Sequence, residues 1–198
     1  MERIQSVSKP DVNYESIADN PHPVSIYDRT IQPEDPSEWD DILKLSNAWA
    51  VQIIDCDINP SGGNREDGVD INRFSRDCVL KRCRVRAGAK YAFTIKGGSN
   101  YIKLDDIVIH GPRGKEGVDI DIGNYSSTHA MTHDININNV RREDGEPVTV
   151  RIGYGCDVNI TNTNVKVLVV QSLLLKCYVW AKRTIIQLTN KLKGLIWA

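Results

Sequence analysis

Five charged residues occupy similar places in short segments where apolar and polar residues alternate, as in residues 69–72 (VDIN) and 118–122 (VDIDI). Carboxylates on neighbouring strands can bind Ca²⁺ or exchange protons with a substrate. A Lys or Arg can receive the carboxylate of an acidic sugar or remove a proton. These residue types therefore predict a saccharide site, made of Asp70, Lys96, Asp119, Asp121 and Arg151.

This site requires the alternating segments to lie side by side. Parallel strands are about 4.8 Å apart. If Val69, Phe93, Val118 and Val148 stack inward, the polar residues beside them form two outward rows. These rows are Asp70, Thr94, Asp119, Thr149 and Asn72, Lys96, Asp121, Arg151. The second row alternates in charge, and its plainer interpretation is a row of surface ion pairs that adds little stability.

The elements that would position the rows come from a repeat along the chain. Five segments carry an apolar residue, a second inward residue three places later and a third at five places: Ile53/Cys56/Ile58, Leu80/Cys83/Val85, Leu104/Ile107/Ile109, Ile137/Val140 and Ile160/Thr163/Val165. The fourth segment has Arg142 at its last place, and the intervals between segments are 27, 24, 33 and 23 residues. Each segment precedes a second alternating run, which is typical of half-buried strands.

Repetition of a two-strand unit in constant order predicts an all-β fold. We expect a short right-handed, single-stranded parallel β-helix of about five coils over residues 46–170, in which each coil buries its apolar face against its neighbours. An antiparallel sandwich is the alternative, because it also contains many short strands separated by turns.

The two ends of the chain differ from this repeat. Residues 1–45 contain five prolines and predict an extended arm, with a short helix from Ser37 to Leu45 covering the first coil. Residues 171–198 alternate apolar and basic positions and predict an amphipathic basic helix. Its apolar residues are predicted to serve attachment or oligomerisation: Leu174, Tyr178, Trp180, Ile185, Leu188 and Leu192.

Two locations for that C-terminal helix stay open. It can pack on the end of the solenoid or in an oligomer, or it can lie on a membrane surface, since a basic face opposite Trp and Leu suits a lipid interface. Lys176, Lys182 and Arg183 interrupt the apolar stretch before 18 residues, which disfavours a transmembrane helix.

Composition excludes several classes of function. All 26 acidic residues precede Val165 and six basic residues follow it, so the acidic body gives no reason to expect a nucleic-acid partner. The N-terminus lacks the apolar run of a secretion signal. Five cysteines without zinc spacing predict reduced, buried thiols rather than disulfides or a metal site. Residues 111–116 (GPRGKE) lack the spacing of a phosphate-binding loop.

Three motifs resemble a known family: residues 65–72 (REDGVDIN), 94–100 (TIKGGSN) and 118–124 (VDIDIGN). They are similar to the pectate-lyase-like right-handed β-helix superfamily, and more narrowly to small β-helix proteins of tailed bacteriophages. The resemblance covers roughly residues 46–165. It implies polysaccharide binding or cleavage. For phage members it implies production in the host cytoplasm and a place in the virion, usually in trimeric tail spikes or fibres that contact host-surface glycans and other virion proteins.

The chain departs from the enzymes of that superfamily in its small number of coils and in having no catalytic signature. We therefore expect a virion structural protein that binds polysaccharide with little or no catalysis. The alternative is a small polysaccharide lyase or glycoside hydrolase that uses the five charged residues named above. No cofactor is expected apart from Ca²⁺ held by the carboxylates, and membrane contact would be made by the C-terminal helix.

Overall fold

The structure is a computed structural model that describes residues 15–32, 41–62, 66–123 and 131–170. These residues form sixteen strands and no helix. The strands are β1 (Glu15–Ala18), β2 (Val24–Tyr27), β3 (Thr30–Ile31), β4 (Leu43–Ser46), β5 (Val51–Ile54), β6 (Asp57–Ile58), β7 (Asp67–Asn72), β8 (Arg76–Lys81), β9 (Arg84–Arg86), β10 (Tyr91–Lys96), β11 (Asn100–His110), β12 (Ile120–Gly123), β13 (His133–Arg142), β14 (Val148–Ile152), β15 (Val158–Thr161) and β16 (Val165–Val169).

The strands build a parallel β-solenoid, which confirms the predicted fold class. One sheet has the order β1-β4-β7-β10-β12-β14-β16, so each coil adds one strand to it. The second sheet runs β2-β5-β8-β11 and returns through β9, β6 and β3, while β13 pairs with β11 and β15. Strands β11 and β13 are long because each continues through the corner that separates shorter strands in the earlier coils.

The core is a set of apolar columns that run along the solenoid axis. Alternate residues of each strand point inward, as period-two sequences require. The pairings place Val69, Phe93, Ile120 and Val150 in one column. Leu80, Leu104, Ile137 and Ile160 form another, in the second sheet. Most of these side chains have no solvent-accessible surface, so each coil buries the apolar face of the next.

Two kinds of polar residue turn the chain at the corners. Ser75 and Ser99 are fully buried between the sheets, and their hydroxyls donate to the carbonyls of Asn72 at 2.7 Å and Lys96 at 2.8 Å. At another corner one residue per coil has left-handed backbone, a conformation that Asp and Asn tolerate. This row consists of Asp28, Asp55, Arg82, Asp106, Asn139 and Asn162.

The N-terminal boundary of the solenoid was predicted wrongly. Strands β1, β2 and β3 lie within the predicted arm, yet they pair with β4, β5 and β6 and extend the solenoid toward the N-terminus. Their repeat escaped detection because Arg29 stands where the next coil has Cys56, and because the strands have only two to four residues. In the predicted helix, Leu43 to Leu45 belong to β4 and residues 37–40 lie outside the described residues.

The four described cysteines agree with the prediction of reduced, mostly buried thiols. Cys56, Cys78 and Cys83 are buried thiols, and Cys156 is a partly buried thiol. Cys56 and Cys83 lie in one inward column, as expected from their shared place in the repeat, and the neighbouring Cys56 thiol together with burial raises the pKa of Cys83. Cys177 and the predicted C-terminal helix, including Leu174, Tyr178, Trp180, Ile185, Leu188 and Leu192, lie outside the described residues.

Candidate functional site

The candidate site lies on the outward side of the seven-stranded sheet. One residue from each of five neighbouring strands contributes to a row that we call the charged row. Its members in spatial order are Lys44, Asp70, Thr94, Asp121 and Arg151. Strands β4, β7, β10, β12 and β14 position these side chains at the spacing of a parallel sheet, about 4.8 Å.

The charged row differs from both predicted rows. The predicted pairing of Val69 with Phe93 is correct, but Phe93 pairs with Ile120, two residues beyond Val118. A shift of two residues keeps every side chain on its predicted face while changing its neighbour along the row. The long loop before β12 left this choice open in the sequence. As a result Asp121, and not Asp119, follows Asp70 and Thr94.

The carboxylates of the charged row are buried, although they point away from the apolar core. Asp70 and Asp121 each expose 2% of their surface. The cationic side chains reach further out, since Lys44, Lys96 and Arg151 expose 33%, 31% and 26% of their side chains. The surface therefore presents cations first, with carboxylates beneath them.

Asp70 is held by two residues of the second predicted row. Lys96 Nζ lies 3.2 Å from Asp70 Oδ1, and the amide of Asn72 donates a hydrogen bond to Asp70 Oδ2. Both partners come from outward positions on β7 and β10. The structure thus brings the sequence-predicted residues Asp70 and Lys96 together.

Asp121 and Arg151, which are neighbours in the second predicted row, also contact each other. Arg151 Nε donates to Asp121 Oδ1 at 2.6 Å, and Arg151 Nη2 donates to the hydroxyl of Tyr91 at 2.5 Å. The guanidinium carbon lies 5.2 Å from the centre of the Tyr91 ring, within cation–π range. The hydrogen bond to Asp121 raises the pKa of Arg151 above its ordinary value, so the guanidinium stays charged. This arrangement fixes a planar cation at the surface of the row.

Asp119 occupies a different position from the other four predicted site residues. It has no accessible surface and accepts three hydrogen bonds, from Arg142 Nη1 at 2.7 Å, Arg113 Nε at 3.1 Å and the backbone N–H of Thr149 at 2.8 Å. Arg142 pairs with Ile109 and so occupies an inward place, where the sequence repeat is broken. The break is tolerated because the inward Arg142 is paired with the buried Asp119 and with the exposed Asp144.

Two carboxyl groups near Asp70 were missed by sequence reasoning. Burial, reinforced by Asp70 and Asp67, raises the pKa of Asp41 to about 7, although Lys44 Nζ lies 3.1 Å from its Oδ2. Burial raises the pKa of Asp67 to about 6. Asp67 shares the alternation phase of the inward residues Val69 and Ile71, and Asp41 fell in the predicted helix. Only the closely spaced acids in residues 65–72 (REDGVDIN) hinted at the cluster.

Asn72 Oδ1 and Asp121 Oδ2 are buried oxygen atoms of the site that have no hydrogen-bond partner among the described residues. Such atoms are rare in folded proteins and call for a water, an ion or a ligand atom. Within the described residues no group of three or more His, Cys, Asp or Glu side chains is arranged to hold a metal ion. The Ca²⁺ expectation stays a prediction.

Comparisons with known proteins add no family to this geometry. No family model, curated protein or solved structure matches the chain. Among the described residues there is also no helix long and apolar enough to cross a membrane.

Proposed function

We propose that this chain is a structural β-solenoid of a bacteriophage virion that binds an acidic polysaccharide of the host surface along the charged row. The single observation that supports binding is the row itself, which offers one polar side chain per strand across five strands. A linear polymer lying across the strands would meet the exposed cations Lys44, Lys96 and Arg151, with the buried side chains of the row beneath them. The place in a virion rests on the resemblance to phage β-helix proteins.

The charge distribution favours an acidic polymer over a neutral one. Lys44, Lys96 and Arg151 are the outermost side chains of the site, and each is paired with a buried carboxylate, that of Asp41, Asp70 and Asp121 respectively. Arg151 is the best placed, because its guanidinium is already oriented by Asp121 and Tyr91 and a planar cation suits a carboxylate.

Titration calorimetry with polygalacturonate as the acidic probe and dextran as the neutral probe tests this function. The full chain should bind polygalacturonate and not dextran. The double variant Lys96→Gln/Arg151→Gln should bind at least about tenfold more weakly, while Lys103→Gln, an exposed lysine on the other sheet, should bind like the unaltered chain. Equal binding by both variants would place the contact elsewhere. Mass spectrometry of purified virions of the encoding phage tests the virion assignment.

A second function, cleavage of such a polysaccharide, is favoured by one observation. Asp41 and Asp67 have pKa values of about 7 and 6, the range in which a carboxyl group can both give and accept a proton near neutral pH. Lyase activity would release unsaturated sugar ends and hydrolysis would release reducing ends, so both products should be measured after incubation with polygalacturonate. Activity that is lost in Asp41→Asn and kept in Asp157→Asn would establish an enzyme.

A further inference from the structure

The apolar columns of the solenoid continue into the last coil. Pairing extends them from β13 to β15 and from β14 to β16. The last members of the columns are all apolar: Val158, Ile160, Val165, Val167 and Val169. No described strand lies beyond them in either sheet, so they form one end of the core, which we call the C-terminal end face.

Exposure of the C-terminal end face contrasts with the rest of the core. Val167 and Val169 are 42% and 66% exposed, whereas Val150, which precedes Val167 in its column, has no accessible surface. At the opposite end, Ile26 and Ile31 of β2 and β3 are buried. Leu168 and Val170 add exposed apolar surface beside the face. An apolar patch of this kind on a folded chain marks a contact surface.

The main chain at this end also lacks partners among the described residues. Strand β16 pairs only with β14, and β15 pairs only with β13. Each strand therefore presents one edge of N–H and C=O groups that invites further pairing. Apolar side chains and backbone groups are exposed on the same face. A segment that packs there must bury the apolar side chains, and it must pair the backbone N–H and C=O groups or cover them.

We propose that residues 171–198 of the same chain pack on the C-terminal end face and close the core. The segment follows Val170 directly, so its first residues emerge beside the face. Its 28 residues would extend about 42 Å as a helix, which exceeds the roughly 17 Å spanned by a five-residue strand such as β16. It supplies many large apolar side chains, including Leu173, Leu174, Leu175, Tyr178, Trp180, Ile185, Ile186 and Leu188.

Charge favours this occupant over a second copy of the chain. Residues 171–198 contain five basic and no acidic side chains, whereas every acidic residue lies in the preceding part of the chain. Packing within one chain brings the basic segment onto an acidic body. Two copies joined through their C-terminal end faces would bring two wholly basic segments together, and like charges at close range oppose association.

Two measurements on the full chain test the proposal. Light scattering gives the mass of the particle, and hydrogen exchange read by mass spectrometry gives the protection of each strand. In a monomeric particle, β16 should exchange as slowly as β14. The double variant Leu174→Asp/Trp180→Asp should speed exchange in β16 at least about tenfold, while the matched variant Thr184→Asp/Thr189→Asp should not. Slow exchange in β7 and β10 shows that a variant is folded, and slow exchange of residues 171–198 in the unaltered chain supports the proposal without any variant.

Three outcomes would overturn it. One is fast exchange of β16 in the unaltered chain. Another is a dimer or larger particle in which dilution speeds exchange of β16 while the Leu174→Asp/Trp180→Asp change does not. A second copy of the chain would then cover the face. The last is protection of β16 that appears only with vesicles of anionic phospholipid, since the segment would then act at a membrane surface. None of these outcomes depends on polysaccharide binding.

Discussion

At the scale of single residues, the two missed carboxyl groups control how stability depends on pH. Burial raises the pKa of Asp41 to about 7 and that of Asp67 to about 6, from an ordinary value of 3.8. The fold therefore favours their neutral forms, while the unfolded chain ionises them near pH 4. Proton binding to the two groups therefore stabilises the fold. This contribution to the free energy of unfolding is fully present below about pH 4 and is lost as pH rises through 6 and 7.

We therefore expect the free energy of unfolding to fall between pH 4 and pH 7, by at most about 1.4 kcal/mol per pH unit for each group. Thermal or urea unfolding across this range measures the slope. Asp41→Asn should flatten it, because the amide stays neutral at every pH. Asp157→Asn, an exposed change in the last coil, should leave it unaltered. A slope that is the same in both variants would mean that Asp41 does not titrate in this range.

Asp119 should matter for stability more than any exposed charge. Removing it by Asp119→Ala takes away the buried partner of Arg142, which keeps only its ion pair with the exposed Asp144 at 2.6 Å. Loss of a buried ion-pair partner typically costs about 3–5 kcal/mol. The exposed pair Asp55 and Arg82 provides the control, because both side chains are nearly half exposed and Arg82→Gln should cost much less stability than Asp119→Ala. Urea unfolding of the two variants gives the comparison. Similar costs would show that the Asp119 network is solvated in solution.

Residue types and alternation predicted part of the site. Asp70, Lys96, Asp121 and Arg151 were expected together, and the structure joins them in two contacting pairs. Burial of the carboxylates could not be predicted, because alternation assigns a side chain to a face without saying what covers that face. Asp67 was missed because its place in the alternation assigns it to the core side of β7, where a charged residue is not expected.

At the scale of elements, strand β7 carries a close approach that the sequence does not reveal. A Cβ atom on Gly68 would lie 2.6 Å from the carbonyl oxygen of Arg86 and 2.8 Å from that of Ala92. Both contacts are with backbone, which cannot rotate away. Glycine at this place therefore lets three segments of neighbouring coils pack closely beside Asp67.

Gly68→Ala should consequently destabilise the solenoid by about 1–3 kcal/mol, the usual cost of forcing an extra carbon into a packed site. Gly145→Asn is the matched control, because no atom lies within 4 Å of its Cβ position and Asn tolerates the positive φ there. Chemical denaturation should separate the two variants clearly. If Gly68→Ala were as stable as the control, the strand would have to shift, and the pKa of Asp67 should shift with it.

The elements were predictable where strands were long and apolar, as in β10 and β11. They were not predictable at the N-terminal end, where β3 has two residues and an arginine interrupts the repeat. The row of left-handed corner residues also escaped notice. Asp28, Asp55, Asp106, Asn139 and Asn162 recur at the coil interval, and this polar repeat would have located the first coil at Asp28.

At the scale of the whole molecule, the backbone and core of each coil pack against the neighbouring coils, so stability is transmitted largely along one dimension. Phe93 lies near the middle of its column, between Val69 and Ile120, and has no accessible surface. Phe93→Ala leaves a large cavity, a change that commonly costs about 3–5 kcal/mol. In a linear stack this loss should also weaken the coupling between the coils on either side of β10.

We expect Phe93→Ala to let the two halves of the solenoid open separately, so that β4 and β14 exchange their amide hydrogens at different rates. Ile31→Ala, an apolar truncation in the first described coil, should instead speed exchange mainly in β3 and β6, because within the described part of the chain this coil has a neighbour on one side only. Hydrogen exchange resolved strand by strand distinguishes the two patterns. If Phe93→Ala accelerated all strands equally, the solenoid would unfold as one cooperative unit, and the effect of a core substitution would then depend on the volume removed and not on its position along the axis.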